Sequence, residues 1–170
     1  MHAVGQDQGA PHSLDVSDQA ARADQAGQGL GGERPISVVG DGGDHTVVAL
    51  GRFNIGDLDI QPYEQKHGFM PSTGFRFGDV AYSTDLVELP PSALEVLEGV
   101  DTFIVQALRP DPHPTHAHLD LALDWIEKIA PRRAVVTHMN HQMDYDTLCR
   151  QLPDGVEPAY DGMVIDVPRT

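Results

Sequence analysis

Three strand-like runs in this chain each lead to a side chain that can bind a metal. Ala134-Val135-Val136-Thr137 is an apolar, β-branched run that ends at His138. Leu58 to Tyr63 alternates apolar and polar residues and leads to His67. Val80-Ala81-Tyr82-Ser83 leads through Thr84 to Asp85. Neutral imidazole and carboxylate are the usual nitrogen and oxygen ligands of zinc, and they also suit manganese or iron. A carboxylate can bridge two metals, one on each oxygen. Two metals roughly 3.5–4 Å apart can clamp the attacking and leaving oxygens of an ester or phosphodiester. Metal-assisted hydrolysis is therefore the chemistry to which these residue types point.

The elements around them set how they can be brought together. Gly74 to Gly78 and Val80 to Ser83 read as a hairpin around Gly78-Asp79. With Leu58 to Tyr63 they suggest a mainly antiparallel sheet. The pattern then changes. Pro91 to Leu97 reads as a short helix with proline in its first turn. Thr102 to Leu108 reads as a central strand. Leu119 to Ile129 carries Leu119, Leu123, Ile126 and Ala130 at helical spacing, with Leu121, Ala122 and Trp125 widening the face, and Pro131 stops it. Arg133 to Thr137 is a strand, Tyr145 to Leu152 a helix and Met163 to Val167 a final strand. Strand–helix alternation of this kind implies parallel pairing and an α/β layer.

Residues 1–34 read as a separate, disordered low-complexity head, rich in Gln, Gly, Ala and Asp. Such a composition buries too little apolar surface to offset its ordering entropy. Residues 35–170 read as the folded domain, opening with strand-like Ile36 to Val39 and Thr46 to Leu50. The chain of 170 residues suits one domain. Its formal net charge of −15, from 26 acids against 11 bases, argues against general nucleic-acid or anionic-membrane binding. No apolar run approaches the roughly 20 residues that span a bilayer, and no signal peptide is seen. The expected location is cytoplasmic. The single cysteine, Cys149, reads as a small packed residue of the Tyr145 to Leu152 helix.

Several motifs recur in one order: Gln65-Lys66-His67-Gly68, Gly74-Phe75-Arg76-Phe77-Gly78, Tyr82-Ser83-Thr84-Asp85, His113-Pro114-Thr115-His116, Arg133-Ala134-Val135-Val136-Thr137-His138-Met139 and Tyr160-Asp161-Gly162-Met163. Through them the chain, from about Leu58 to Val167, resembles the C-terminal part of a metallo-β-lactamase-fold hydrolase. The branch it resembles contains the cyclic-phosphodiesterase of phosphonate breakdown and lies near the tRNA-maturing nucleases. The resemblance implies an α/β fold, a metallo-β-lactamase-like αββα sandwich, truncated or incomplete on the N-terminal side. It implies that His67 and His138 ligate metal, that Asp85 bridges two metals, and that a metal-bound hydroxide attacks a phosphodiester. Zinc is the expected metal, with manganese the alternative. His116 sits in the loop where this branch places a histidine that protonates the leaving group.

The branch's His-x-His-x-Asp-His signature is absent from this chain. Asp44-His45 is its nearest echo, with Asp41 where a histidine would be needed. An open half-sandwich would expose an apolar sheet face, which a homodimer could cover. The same centre also suits a lactone or carboxylic ester, and a non-catalytic interaction module is the reading from another class. His141 could reach the pocket of His138. His118 sits in an N-cap-like position before Leu119, and His113 carries no specific signal. Arg76 or Arg109 would contact a phosphate if either lined the cleft.

Overall fold

The computed structural model describes residues 51–167. The expected head, the strands at 36–39 and 46–50, the Asp44-His45 pair and the 34/35 domain boundary lie outside the described residues. Seven strands form one sheet in sequence order. They are β1 (Phe53–Ile55), β2 (Leu58–His67), β3 (Met70–Phe77), β4 (Val80–Ser83), β5 (Thr102–Gln106), β6 (Arg133–Thr137) and β7 (Val156–Pro158). β1 to β4 pair antiparallel through short hairpins, and β4 to β7 pair parallel. Each parallel connection carries one helix: α1 (Pro91–Leu97), α2 (Leu119–Ile129) and α3 (Tyr145–Gln151).

The period-2 alternation of the central strands separates two faces. Phe103, Val105, Ala134 and Val136 point to one face and are fully buried or nearly so, against Ala93 and Leu97 of α1, Ala122, Trp125 and Ile126 of α2, and Leu148 of α3. Val80, Ile104 and Val135 point to the other face, where half-buried Tyr82, Ala159, Met163, Ile165 and Val167 pack on them. The described residues therefore make one sheet with one helical layer, an αβ half of a sandwich.

The alternation of Met163, Ile165 and Val167 is real, but the segment is not the last strand. It lies against the face opposite the helices. The last strand is Val156–Pro158, which pairs parallel with β6 at the sheet edge. β3 is also longer than the hairpin reading allowed. It begins at Met70 and runs through Pro71, which needs no donor where it stands near the start of a strand. Ala130 leaves the helical face to become the left-handed C-cap of α2, its N–H donating to Ile126 O at 2.8 Å. Cys149 is exposed, not packed, because α3 buries Leu148 on its inner side.

β2 and β3 are locked by a large-to-small pair. Gly74 stands opposite Tyr63. A Cβ on Gly74 would lie 2.3 Å from Tyr63 Cε2. The buried Tyr63 hydroxyl meets Ser83 Oγ at 2.6 Å and donates to Tyr82 O at 3.2 Å. Burial pushes its ionisation far above the usual phenol range, so it serves as a neutral hydrogen-bonding group. That bond ties β2 to the end of β4, two residues before Asp85.

Candidate metal centre

His67 is the last residue of β2, and a two-residue link, Gly68-Phe69, returns the chain to Met70. Gly68 has a φ of 66°, in the left-handed region that glycine enters without cost. A Cβ there would also lie 2.6 Å from Thr115 Cγ2, so this hairpin tip packs closely on the loop that carries His116. His67 Nδ1 stands 2.8 Å from Thr115 O. A carbonyl can only accept, so Nδ1 holds the proton and Nε2 keeps a free lone pair. Metal-binding histidines are commonly oriented in this way.

Asp85 follows β4 with a φ of 55°, and His138 follows β6 with a φ of 58°. Among the described residues, the only other non-glycine residue at positive φ is the helix cap Ala130. Left-handed backbone is costly for a side-chain-bearing residue and persists only where neighbours hold it. Around Asp85 those neighbours are visible. Its N–H donates to Gln106 Oε1 at 2.6 Å, and its carbonyl accepts from Ser72 Oγ at 2.6 Å. Gln65 Nε2 donates to Thr84 O at 3.1 Å, and Gln106 Nε2 donates to Leu86 O at 2.9 Å. Both glutamines and Leu86 are fully buried. After His138 the chain is held by the Asn140 N–H, which donates to Leu108 O at 2.9 Å.

His116 lies in the β5–α2 loop. His113 Nδ1 accepts from the backbone N–H of Thr115 at 3.3 Å and of His116 at 3.2 Å. The Arg109 guanidinium donates to Asp111 O at 3.1 Å and Pro112 O at 2.6 Å. Arg109 thus braces the loop from within. Arg76 is also committed to backbone: it donates to Val96 O at 2.6 Å and Glu98 O at 2.8 Å, capping the C-terminal end of α1. Both arginines therefore hold structure together. His118 is the N-cap of α2 and makes no side-chain capping bond. His141 is exposed and joins none of the histidine contacts.

The four expected site residues converge. One ligand atom from each of His67, Asp85 and His116 lies within 4.8 Å of the other two. Asp85 Oδ1 is 3.8 Å from His116 Nδ1 and 3.8 Å from His138 Nε2. The His116 ring centroid is 4.5 Å from that of His67 and 5.3 Å from that of His138. Burial holds His116 below the usual imidazole range, and the neighbouring His67 and His138 push it the same way, against the pull of Asp85. It is therefore neutral over more of the pH scale. The donor set fits a divalent metal. Ligand atoms at about 2.1 Å around a tetrahedral zinc are roughly 3.4 Å apart, a few tenths of an ångström closer than the Asp85–His138 pair stands.

Gln106, Gln65 and Ser72 hold the site but were not anticipated. The available signal was the glutamine that ends the apolar run Phe103-Ile104-Val105-Gln106. A buried polar side chain must have partners, and here they are the Asp85 segment.

The family described as "Beta-lactamase superfamily domain" matches residues 29–139. The chain belongs to this superfamily. Its beta-lactamase-type fold has solved counterparts. A diphosphatase from the PhnP family is 33% identical with a TM-score of 0.67, over 69% of this chain and 47% of that one. Human tRNase Z, short form, is 19% identical with a TM-score of 0.53, over 68% of this chain and 46% of that one, a likeness of fold alone. An octanoyltransferase of Porphyromonas gingivalis is 27% identical over 113 residues, which is 65% of this chain and 23% of that protein. The chain thus spans less than half the length of each of these relatives. The metallo-β-lactamase resemblance carried by the sequence motifs is borne out.

Proposed function

We propose that this chain is a metal-dependent hydrolase whose first substrate class is a small phosphodiester. The observation that carries the proposal is the convergence of His67, Asp85, His116 and His138 from one strand end and three separate loops. The 33% identity to a PhnP-family diphosphatase supports the phosphate-ester class. His67, Asp85 and His138 would hold the metal, zinc or manganese. A divalent ion held there supplies a Lewis acid and makes water a nucleophile near neutral pH.

The chain's own residues do the rest. Thr115 O orients His67 so that Nε2 faces outward. The hydrogen bonds to the Asp85 N–H and carbonyl hold its backbone, and its Oδ1 stands 3.8 Å from both His116 Nδ1 and His138 Nε2. Asp85 and His138 are roughly half exposed at the side chain, with 52% and 40% accessible, so the centre is open to a ligand. His116, only 17% exposed at its side chain, stands on the flank of that opening. A neutral imidazole carries one N–H, and from this position His116 can hydrogen-bond to the leaving oxygen as negative charge develops on it. A homodimer remains part of the proposal.

The test is metal content per chain, molar mass in solution and turnover of bis(p-nitrophenyl) phosphate, compared with p-nitrophenyl acetate. Bound zinc or manganese with phosphodiester turnover that His138→Ala abolishes is the expected result. Preference for the acetate ester would move the substrate class to carboxylic esters. No metal after reconstitution and no turnover would leave the fold with a non-catalytic, interaction role.

A further inference from the structure

We propose that Gln106 is a positioning residue: its amide fixes His116 with the ring proton on Nε2 and thereby keeps His116 a hydrogen-bond donor to the leaving oxygen, outside the metal's ligand set. This rests on the reading of His116 as the leaving-group donor.

Gln106 is fully buried at the end of β5. Two bonds to backbone fix which way its amide faces. Oε1 accepts the Asp85 N–H at 2.6 Å, and Nε2 donates to Leu86 O at 2.9 Å. Turning the amide over would set donor against donor and acceptor against acceptor. Its orientation is therefore determined by the main chain and not by the histidine.

The Nε2 group has a second hydrogen. The partner in reach is His116 Nδ1, at 3.2 Å. Oε1 is also 3.3 Å from that nitrogen, so the alternative is an Nδ1–H that donates to Oε1. The two arrangements differ in what they leave unpaired. In the first, Oε1 keeps one unused lone pair, a common and inexpensive condition for a carbonyl oxygen. In the second, a buried amide N–H has no acceptor, at a cost of about 1–3 kcal/mol. The first arrangement wins. His116 Nδ1 is then an acceptor already in use, and Nε2 bears the hydrogen. Neither nitrogen offers a free lone pair to a metal, although the ring stands among the ligands.

His67 supplies an internal contrast. Its Nδ1 donates to Thr115 O, so its lone pair is on Nε2. The two rings, 4.5 Å apart, are held in opposite tautomers, one as a ligand and one as a hydrogen-bond donor. The same Gln106 amide also holds the backbone of Asp85, so it links the ligand to the donor.

Ring-nitrogen NMR of the 15N-labelled full chain, with His116 assigned by its loss in His116→Phe, reads the tautomer directly. In the metal-free protein, His116 is expected as the Nε2–H form and His67 as the Nδ1–H form. On adding one equivalent of zinc, the His67 and His138 ligand nitrogens shift and those of His116 keep their pattern. An Nδ1–H form of His116, or zinc-dependent coordination shifts on its ring, overturns the proposal. Gln106→Glu presents only acceptors and is expected to invert the tautomer. Gln106→Met, a neutral variant that avoids burying a charge, is expected to leave a mixture of the two forms and to lower kcat about tenfold with little change in KM. A retained pure Nε2–H form in Gln106→Met would also overturn it. If zinc-loaded wild-type protein shows the expected tautomer yet turns over no ester, the hydrolase reading fails while the assignment to Gln106 stands.

Discussion

Gly74→Ala should destabilise the protein well beyond a typical surface change, and the structure allows the size to be worked out. The added Cβ would lie 2.3 Å from Tyr63 Cε2, 2.4 Å from Cζ and 2.8 Å from Gln65 Oε1. Ordinary contact requires the ring to retreat by more than an ångström. Tyr63 cannot retreat freely, because its hydroxyl is held by Ser83 Oγ at 2.6 Å and by Tyr82 O. Overpacking of this kind costs about 1–3 kcal/mol, and a lost hydroxyl bond adds about 1 kcal/mol. Reduced freedom of the unfolded chain returns about 0.4–1 kcal/mol. The net expectation is a loss of about 1–3.5 kcal/mol. Urea unfolding should show the midpoint falling with an unchanged slope. In the Tyr63→Phe background the ring is released from Ser83, so the same substitution should cost about 1 kcal/mol less. A Gly74→Ala midpoint equal to wild type, or costs that add in the double variant, would refute the Tyr63–Ser83 restraint.

Three further outcomes follow from the site and its supports. His67→Ala removes a proposed ligand without disturbing the core, so zinc affinity measured by calorimetry should fall at least tenfold while the far-ultraviolet spectrum stays unchanged; equal affinity would remove His67 from the site. Asp144 caps α3 by accepting from the Thr147 N–H at 2.9 Å and from its hydroxyl, and these bonds hold its carboxyl below the usual range. A depressed folded-state value contributes stability above the unfolded value and loses it as pH falls through the folded one, so Asp144→Ala should lower Tm at pH 7 and progressively less toward pH 3. At His138, whose φ is 58°, glycine should be more stable than alanine by about 1 kcal/mol, the reverse of the usual order, with both variants losing metal.

The elements whose residues report directly on burial were legible. Pro91–Leu97, Leu119–Ile129 and Arg133–Thr137 lie where proline placement, helical spacing and a β-branched run put them. The turn at Gly78-Asp79 did too. Val156–Pro158 was not legible, because three residues ending in proline carry almost no periodicity and are held by pairing with β6. Met163 to Val167 misled for the complementary reason. Alternation reports that one side of an extended segment is buried, and a segment laid across a sheet face satisfies that as well as a strand within it.

The convergence of His67, Asp85 and His138 was legible for a different reason from its supports. His67, Asp85 and His138 are residue types with few alternatives in chemistry, each placed just at or beyond a strand end, so type and position together pointed to one centre. Gln65, Ser72 and Gln106 have no such signature. An amide can satisfy almost any backbone pair, and which pair it meets depends on how far apart β2, β4 and β5 carry their ends. The left-handed turns at Asp85 and His138 are hidden in sequence for the same reason. Neither residue prefers that backbone strongly enough to announce it, and around Asp85 it is imposed by Gln106 on one side and Ser72 on the other. The grouping of these side chains was thus written in single residues, whereas its geometry depends on contacts among residues far apart in the chain. Substituting the supports should therefore alter rate and metal affinity in degree, and substituting the ligands should remove them.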